Sequence, residues 1–162
     1  MIKILFVCHG NICRSPMAEF VMKDLVRRSG FSDQFHIASA ATSTEEIWNG
    51  IGNPVYPPAK AKLKEHGISC EGKRAVQLTR ADYDRYDYLI GMDSANIRNM
   101  LRMLGGDPEG KVYKLLSFAG SERDIVDPWY TGDFDAAYAD VMEGCTGLLD
   151  MLLDLTSLGE IR

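Results

Sequence analysis

Nowhere in the 162 residues is there an apolar run approaching the roughly 18 that a membrane span needs. The opening stretch Ile2 to Val7 gives way at once to polar and charged positions. Neither a signal peptide nor membrane insertion is therefore expected. Cysteine is sparse: Cys8, Cys13, Cys70 and Cys145 lack the spacing of a secreted disulfide framework. Reduced thiols and a cytoplasmic setting follow. Basic charge is not in excess. A net charge of -5 argues against broad nucleic-acid binding, yet leaves room for a small positive pocket that receives an anion. Linkers, repeats and low-complexity stretches are missing too, so one domain over residues 1–162 is expected.

What is present alternates between two periods. Ile2 to Val7 reads as a buried strand; Pro16 to Arg28 places Met17, Phe20, Val21, Leu25 and Val26 at helical spacing, with Ser15 as cap and Pro16 in the first turn. Phe35 to Ala38 predicts a second strand, and Ile47 to Pro58 a punctuated loop. Ala59 to His66 reads as a helix stopped by Gly67, and a short helix over Ala81 to Tyr86 leads into a strand at Tyr88 to Ile90. Further segments are a helix at Ser94 to Leu104, a strand at Val112 to Leu116 and a closing helix at Phe134 to Leu155. Strands alternating with helices predict an α/β domain whose parallel sheet is covered on both faces. In such folds ligands bind at the carboxyl ends of the strands. Cys8, Ser39, Asp93 and the loop 117–130 all fall there.

The turn after the first strand reads Cys8-His9-Gly10-Asn11-Ile12-Cys13-Arg14-Ser15. A loop wrapping from a strand into a helix start can aim successive N–H groups inward as an anion nest. Gly10 permits the curvature, and Arg14 adds a fork suited to two phosphate oxygens. A cysteine at the floor of such a cradle is a nucleophile, because what stabilises phosphate also stabilises a thiolate. The bland alternative is a buried strand-end cysteine and a surface arginine. Ser15 has two possible roles, helix cap or donor to the Cys8 sulfur. Cys13 is either filler or a partner for a reversible disulfide with Cys8. His9 reads as an exposed loop residue. No His-rich or paired-carboxylate set accompanies the cradle, so no metal and no cofactor is expected.

A phosphomonoester leaves poorly unless its oxygen is protonated, which calls for a general acid. Asp127-Pro128-Trp129-Tyr130 supplies a carboxylate stiffened by proline, with two aromatic side chains as pocket walls. Asp124 is a competing carboxylate, and an ordinary Asp-Pro turn is the bland reading.

CHGNICRSPMAE resembles the signature loop of the low-molecular-weight protein tyrosine phosphatases, and Asp-Pro-Trp-Tyr resembles that family's acid loop. The likeness extends through SAATS, GNPVYPPA, EHGI and YDYLIGMD, essentially the whole chain. It implies a four-stranded parallel sheet, for which alternation and the crossover rule give the order 2-1-3-4 with Cys8 at the end of the first strand. It implies Cys8 as nucleophile, Arg14 as phosphate clamp and Asp127 as general acid. It also implies that Asn11, Ser15, Ser39 and His66 hold the loop in shape, with His66 as the partner of Asn11. The loop from Thr42 to Pro58 departs from the resemblance, being longer than in animal members. Trp48 is expected there as a wall opposite Trp129 and Tyr130, while Glu45 and Glu46 are expected to face solvent or to recruit basic residues of a partner.

The expected activity is hydrolysis of phosphotyrosine in proteins, and of small aryl phosphates, by a monomer. Three rivals are weaker. Arsenate reductases of this fold relay oxidation to a further cysteine pair near residues 80–90, and here no cysteine lies between Cys70 and Cys145. Protein-arginine phosphatases carry threonine where this chain has Ile12, an apolar side chain better suited to line a pocket for an aryl ring. A non-enzymatic phosphate-binding module would not need both Cys8 and Asp127.

Overall fold

In the computed structural model, residues 1–161 are described, with side chains from residue 1 to residue 155. Strand β1 (Ile2–Cys8) is the second of four parallel strands. Its neighbours are β2 (Phe35–Ala41) on one side and β5 (Tyr88–Gly91) on the other, with β6 (Val112–Lys114) at the far edge. The order β2-β1-β5-β6 is the expected 2-1-3-4 once a separate hairpin takes the intervening numbers.

The run of buried residues from Ile4 to Cys8 reflects cover on both faces, and the period of two sorts it. Ile4, Phe6 and Cys8 face helices α1 (Arg14–Arg28) and α6 (Phe134–Ile161), together with Met17, Met22, Val141 and Leu148. Leu5 and Val7 face the opposite core, where α4 (Ser94–Leu104) contributes Met100 and Leu104. Cys8 is thus delivered to the sheet's carboxyl end on the α1 side.

Three local readings need correction. Helix α1 begins at Arg14, so Ser15 lies inside its first turn and caps nothing. The second strand runs to Ala41, because Ser39, Ala40 and Ala41 stay paired with Phe6, Val7 and Cys8 of β1, and Ala41 also bonds to the stretch Val76 to Leu78. Val112 to Leu116 gives up its last two residues to a 3-10 turn over Leu115–Ala119.

The stretch read as a plain loop holds a hairpin, β3 (Ile47–Trp48) and β4 (Ile51–Gly52). Its turn is Asn49-Gly50, both with positive φ (51° and 77°), the mirror-image turn that suits strand twist. Helix α2 (Pro57–Glu65) follows, and the short helices α3 (Asp82–Arg85) and α5 (Pro128–Thr131) complete the elements. Among the described residues no helix is long and apolar enough to cross a membrane.

Helix α6 packs so tightly on the 3-10 turn that a Cβ on Gly147 would lie 2.3 Å from the carbonyl oxygen of Phe118. Helix propensity alone favours alanine at Gly147 by about 1 kcal/mol. The backbone clash reverses the sign: Gly147→Ala should destabilise by about 1–3 kcal/mol in urea denaturation, seen as a lower midpoint at unchanged m-value.

Candidate active site

Four loops meet at the carboxyl end of the sheet. The turn after β1 wraps Cys8 to Cys13 around the start of α1, with Asn11 left-handed at φ 59°. Asparagine tolerates that region, but the turn persists only where neighbours hold it. The Asn11 carboxamide oxygen accepts from the Val76 N–H (3.1 Å), which fixes the orientation of the amide. Its Nδ2 then donates to Ser15 Oγ (2.8 Å) and to Ser39 Oγ (2.9 Å).

Hydrogen-bond polarity follows from the far end of this chain. Glu19 is 4% exposed and its carboxylate accepts from Ser39 Oγ at 2.6 Å, so Ser39 must accept from Asn11. Ser15 Oγ likewise accepts from Asn11, which leaves its own proton for Cys8 Sγ, 3.0 Å away. The Asn11 backbone N–H also points at the sulfur (3.3 Å). The Ser15 hydroxyl and the Asn11 N–H thus both direct a proton at the Cys8 sulfur. Behind Glu19 lie Lys23 Nζ (2.6 Å) and Lys73 Nζ (3.5 Å), and Lys73 also donates to the Ser39 carbonyl (2.9 Å). Burial pulls the Lys73 pKa below its ordinary value, against the attraction of Glu19.

Arg14 is 2% exposed. Its Nη1 donates to Asp93 Oδ2 and to the Ile125 carbonyl, both at 2.7 Å. With Nη1 so committed, the donors of Nη2 and Nε are the ones left for a bound anion. Burial opposes the guanidinium charge, but Cys8, Asp93 and Asp127 together hold its pKa above the ordinary value. Asp93 also caps α4, accepting from the Asn96 N–H at 2.7 Å. Sequence reasoning placed Asp93 at a strand end but gave it no role. The signal was available as an aspartate closing a strand and capping the next helix at the switch of chain direction.

Asp127 Oδ2 lies 3.5 Å from Arg14 Nη2, while Oδ1 caps α5 by accepting from the Trp129 N–H (3.1 Å). Asp124, the competing carboxylate, is occupied elsewhere. It accepts from the N–H and Oγ of Ser94, and Lys114, above all, holds its pKa below the usual carboxylate range.

The cleft over these groups spans about 510 Å³ including its open mouth, room enough for an aryl phosphate. Cys8, Gly10, Ile12, Cys13 and Arg14 form its floor, with Asp127, Trp129 and Tyr130 on one side. His9, Glu45 and Glu46 line it as well. Trp129 leans on Tyr56 at 4.7 Å between ring centroids, a support unremarked in the sequence.

Two expectations fail here. His66 is exposed at the end of α2 and stacks on Tyr138 at 4.1 Å, because the chain turns at Gly67 (φ 74°) and leaves the ring against α6. The loop's support comes instead from Val76 and, through Ser39, from Glu19 and Lys73. Trp48 is 79% exposed and outside the cleft. Its neighbour Ile47 packs inward beside Ile12 and Cys13, so the strand period turns Trp48 to solvent. Glu45 and Glu46, expected to face solvent or to recruit basic residues of a partner, stand at the cleft mouth, where the Glu45 side chain remains exposed. Among the described residues no three His, Cys, Asp or Glu side chains gather as a metal-binding group.

A thiol at the floor of an amide-lined turn, a buried arginine at its rim and a carboxylate above are the parts of a cysteine-based phosphatase. Comparison with known proteins agrees. The sequence profile described as "Low molecular weight phosphotyrosine protein phosphatase" matches residues 3–158, and the chain belongs to that family. It is similar to the Bacillus subtilis low molecular weight protein-tyrosine-phosphatase YfkJ, 38% identical over 92% of this chain and 94% of the relative. The crystal structure of YfkJ superposes with a TM-score of 0.88 over 95% of this chain and 96% of that one. That of SP-PTP from Streptococcus pyogenes does so at 0.82 and 42% identity, covering 94% and 93%. Wzb from Vibrio vulnificus, solved in complex with benzylphosphonate, is 29% identical with a TM-score of 0.80, covering 93% and 98%.

The two contributions of Asn11 can be separated. Asn11→Gly keeps the left-handed turn and loses only the side-chain bonds, whereas Asn11→Ala adds about 1–2 kcal/mol of backbone strain. Both should lower phosphatase kcat at least tenfold, and the alanine variant should unfold at lower urea concentration than the glycine variant.

Proposed function

We propose that this protein hydrolyses phosphotyrosine in proteins, and small aryl phosphates, through a phosphocysteine on Cys8. The observation that carries the reading is the meeting of Cys8, Arg14 and Asp127 in one cleft beside Trp129 and Tyr130. Cys8 Sγ attacks phosphorus in line, and the bond to the phenolic oxygen breaks as Asp127, protonated, gives that oxygen its proton. Arg14 and the loop amides hold the phosphoryl oxygens through both transition states, so charge stabilisation comes from the protein itself. Asp127 then takes a proton from the attacking water. The S–P bond breaks with its electron pair on sulfur, where Ser15 Oγ and the Asn11 N–H stand ready to receive it.

Aryl specificity rests on depth and on the walls. A tyrosyl side chain can reach a sulfur on the floor while its ring packs by Ile12, Trp129 and Tyr130; phosphoserine is too short to gain that contact, worth about 0.5–1.5 kcal/mol beyond area burial. That Wzb was solved in complex with benzylphosphonate, an aryl-bearing phosphate mimic, supports the aryl reading. Ile12 offers no hydroxyl to a guanidinium-linked phosphate, which favours tyrosine over arginine. We read the protein as a monomer, and the four free cysteines accord with a reducing, cytoplasmic setting.

Cys8→Ser should abolish turnover, and rapid quench of the unmodified enzyme should trap one phosphoryl group on Cys8. Asp127→Ala should lose about 10²–10⁴-fold in kcat on phenyl phosphate and far less on p-nitrophenyl phosphate, whose leaving group needs no proton. Equal losses on the two would place the acid elsewhere.

Oxidation belongs to the same reading. Burial foremost, then Cys8 and Asp127, push the Cys13 thiol up to about 12, so Cys13 stays protonated and peroxide meets Cys8 first. The sulfenic acid formed there condenses with the Cys13 thiol, releasing water. Peroxide-treated protein should recover activity with dithiothreitol, and Cys13→Ser should convert that recovery into irreversible loss.

A further inference from the structure

The two sides of the cleft mouth differ in kind. On the α5 side stand Trp129 and Tyr130, 50% and 82% exposed. Beside His9 and Gly10 stand Glu45 and Glu46, each with one side-chain hydrogen bond, the Glu45 carboxylate at an exposed rim. The segment that carries them is tied to the phosphate loop, since the N–H and Oγ of Ser43 both donate to the His9 carbonyl (3.0 and 2.9 Å). Glu45 Oε2 lies 2.8 Å from His9 Nε2. Glu46 Oε1 accepts from Asn53 Nδ2 (2.9 Å), and its Cγ sits so close to Gly10 that a Cβ there would come within 3.2 Å.

Held in this way, Glu45 and Glu46 place two carboxylates at the entry of a dianionic phosphate. The basic groups that line the cleft are already engaged: Arg14 stands 3.5 Å from Asp127, and Glu46 is met only by the neutral amide of Asn53. Arg14 is buried with Nη1 already bound, and His9 is engaged by Glu45. A substrate that brings only its phosphate meets repulsion at the mouth. One that brings a cation beside the phosphotyrosine converts the same charges into attraction. Residues adjacent to the tyrosine in an extended peptide are spaced about 3.3 Å apart, so the first one or two on either side fall at the rim.

We propose that Glu45 and Glu46 are specificity determinants that select phosphotyrosine flanked by lysine or arginine. The proposal rests on the phosphotyrosine reading above. Its test compares kcat/KM on matched phosphotyrosine peptides carrying Arg, Ala or Glu at the two positions on each side, with phenyl phosphate as a reference that has no flanks. At about 0.01 M salt the Arg peptide should exceed the Glu peptide by about five- to twentyfold, and the ratio should shrink severalfold at about 0.15 M as screening shortens. The double variant Glu45→Gln/Glu46→Gln should bring the low-salt ratio below about twofold. Each single substitution should remove part of it.

Equal rates on the Arg and Glu peptides, a ratio indifferent to salt, or one that survives in the folded double variant would each overturn the proposal. The salt dependence of the unmodified enzyme decides the matter if the variants do not fold. Absence of turnover on phenyl phosphate and on every phosphotyrosine peptide would instead overturn the catalytic reading beneath it.

Discussion

A guanidinium shut away from water needs anions around it, and at Arg14 that need organises the whole carboxyl end of the sheet. An unpaired buried charge is among the most expensive things a fold can contain, and removing one partner of a buried pair typically costs about 3–5 kcal/mol. Arg14 starts α1, Asp93 closes β5 and caps α4, and the Ile125 carbonyl and Asp127 come from the stretch leading into α5. One cation thus draws together the phosphate loop, a strand end and the acid loop. The carboxylate proposed as proton donor stands beside the proposed phosphate clamp because it answers the clamp's buried charge.

A second constraint works from behind the nucleophile. Each hydroxyl or amide between Glu19 and Cys8 has a limited set of donors and acceptors, and a carboxylate can only accept. Glu19 at one end and the Val76 N–H at Asn11 leave a single arrangement of protons, with Ser15 Oγ–H directed at sulfur. A buried polar chain with every member satisfied is rigid, and rigidity is what a left-handed asparagine requires. Strain at Asn11 and readiness at Cys8 are therefore two aspects of one network, whose outer anchor is the pairing of Glu19 with Lys23 and Lys73.

The mouth obeys a different logic, since water screens it. Charges there add little to stability and act instead on what approaches. The hairpin of β3 and β4 shows how such a surface is made. Its Asn49-Gly50 turn and period of two bury Ile47 and expel Trp48, while the residues just before it are held against the phosphate loop. The cleft acquires an acidic side from the segment where an aromatic wall was expected.

Much of this protein could be read before any coordinates. Apolar periods of two and 3.6, Gly67 at a helix end and Gly10 within a tight turn are local facts, and they sufficed for the α/β class, while the four-stranded sheet came from the family resemblance and its order from alternation with the crossover rule. The signature from Cys8 to Ser15 and the Asp127-Pro128 pair are likewise contiguous, so the chemistry they suggest travels with the letters. What escaped was whatever depends on direction or on a distant partner. Ser15 is a cap or a donor to sulfur according to which residue begins the helix. His66 or Lys73 supports the phosphate loop according to where the chain turns at Gly67, and Ile47 packs inward while Trp48 meets solvent according to the face a two-residue strand presents. Sequence by itself determined which groups this protein possesses and which turns it can make. Only the tertiary structure decided which of them meet, because hydrogen bonds and charges act over a few ångströms between residues that lie tens of positions apart along the chain.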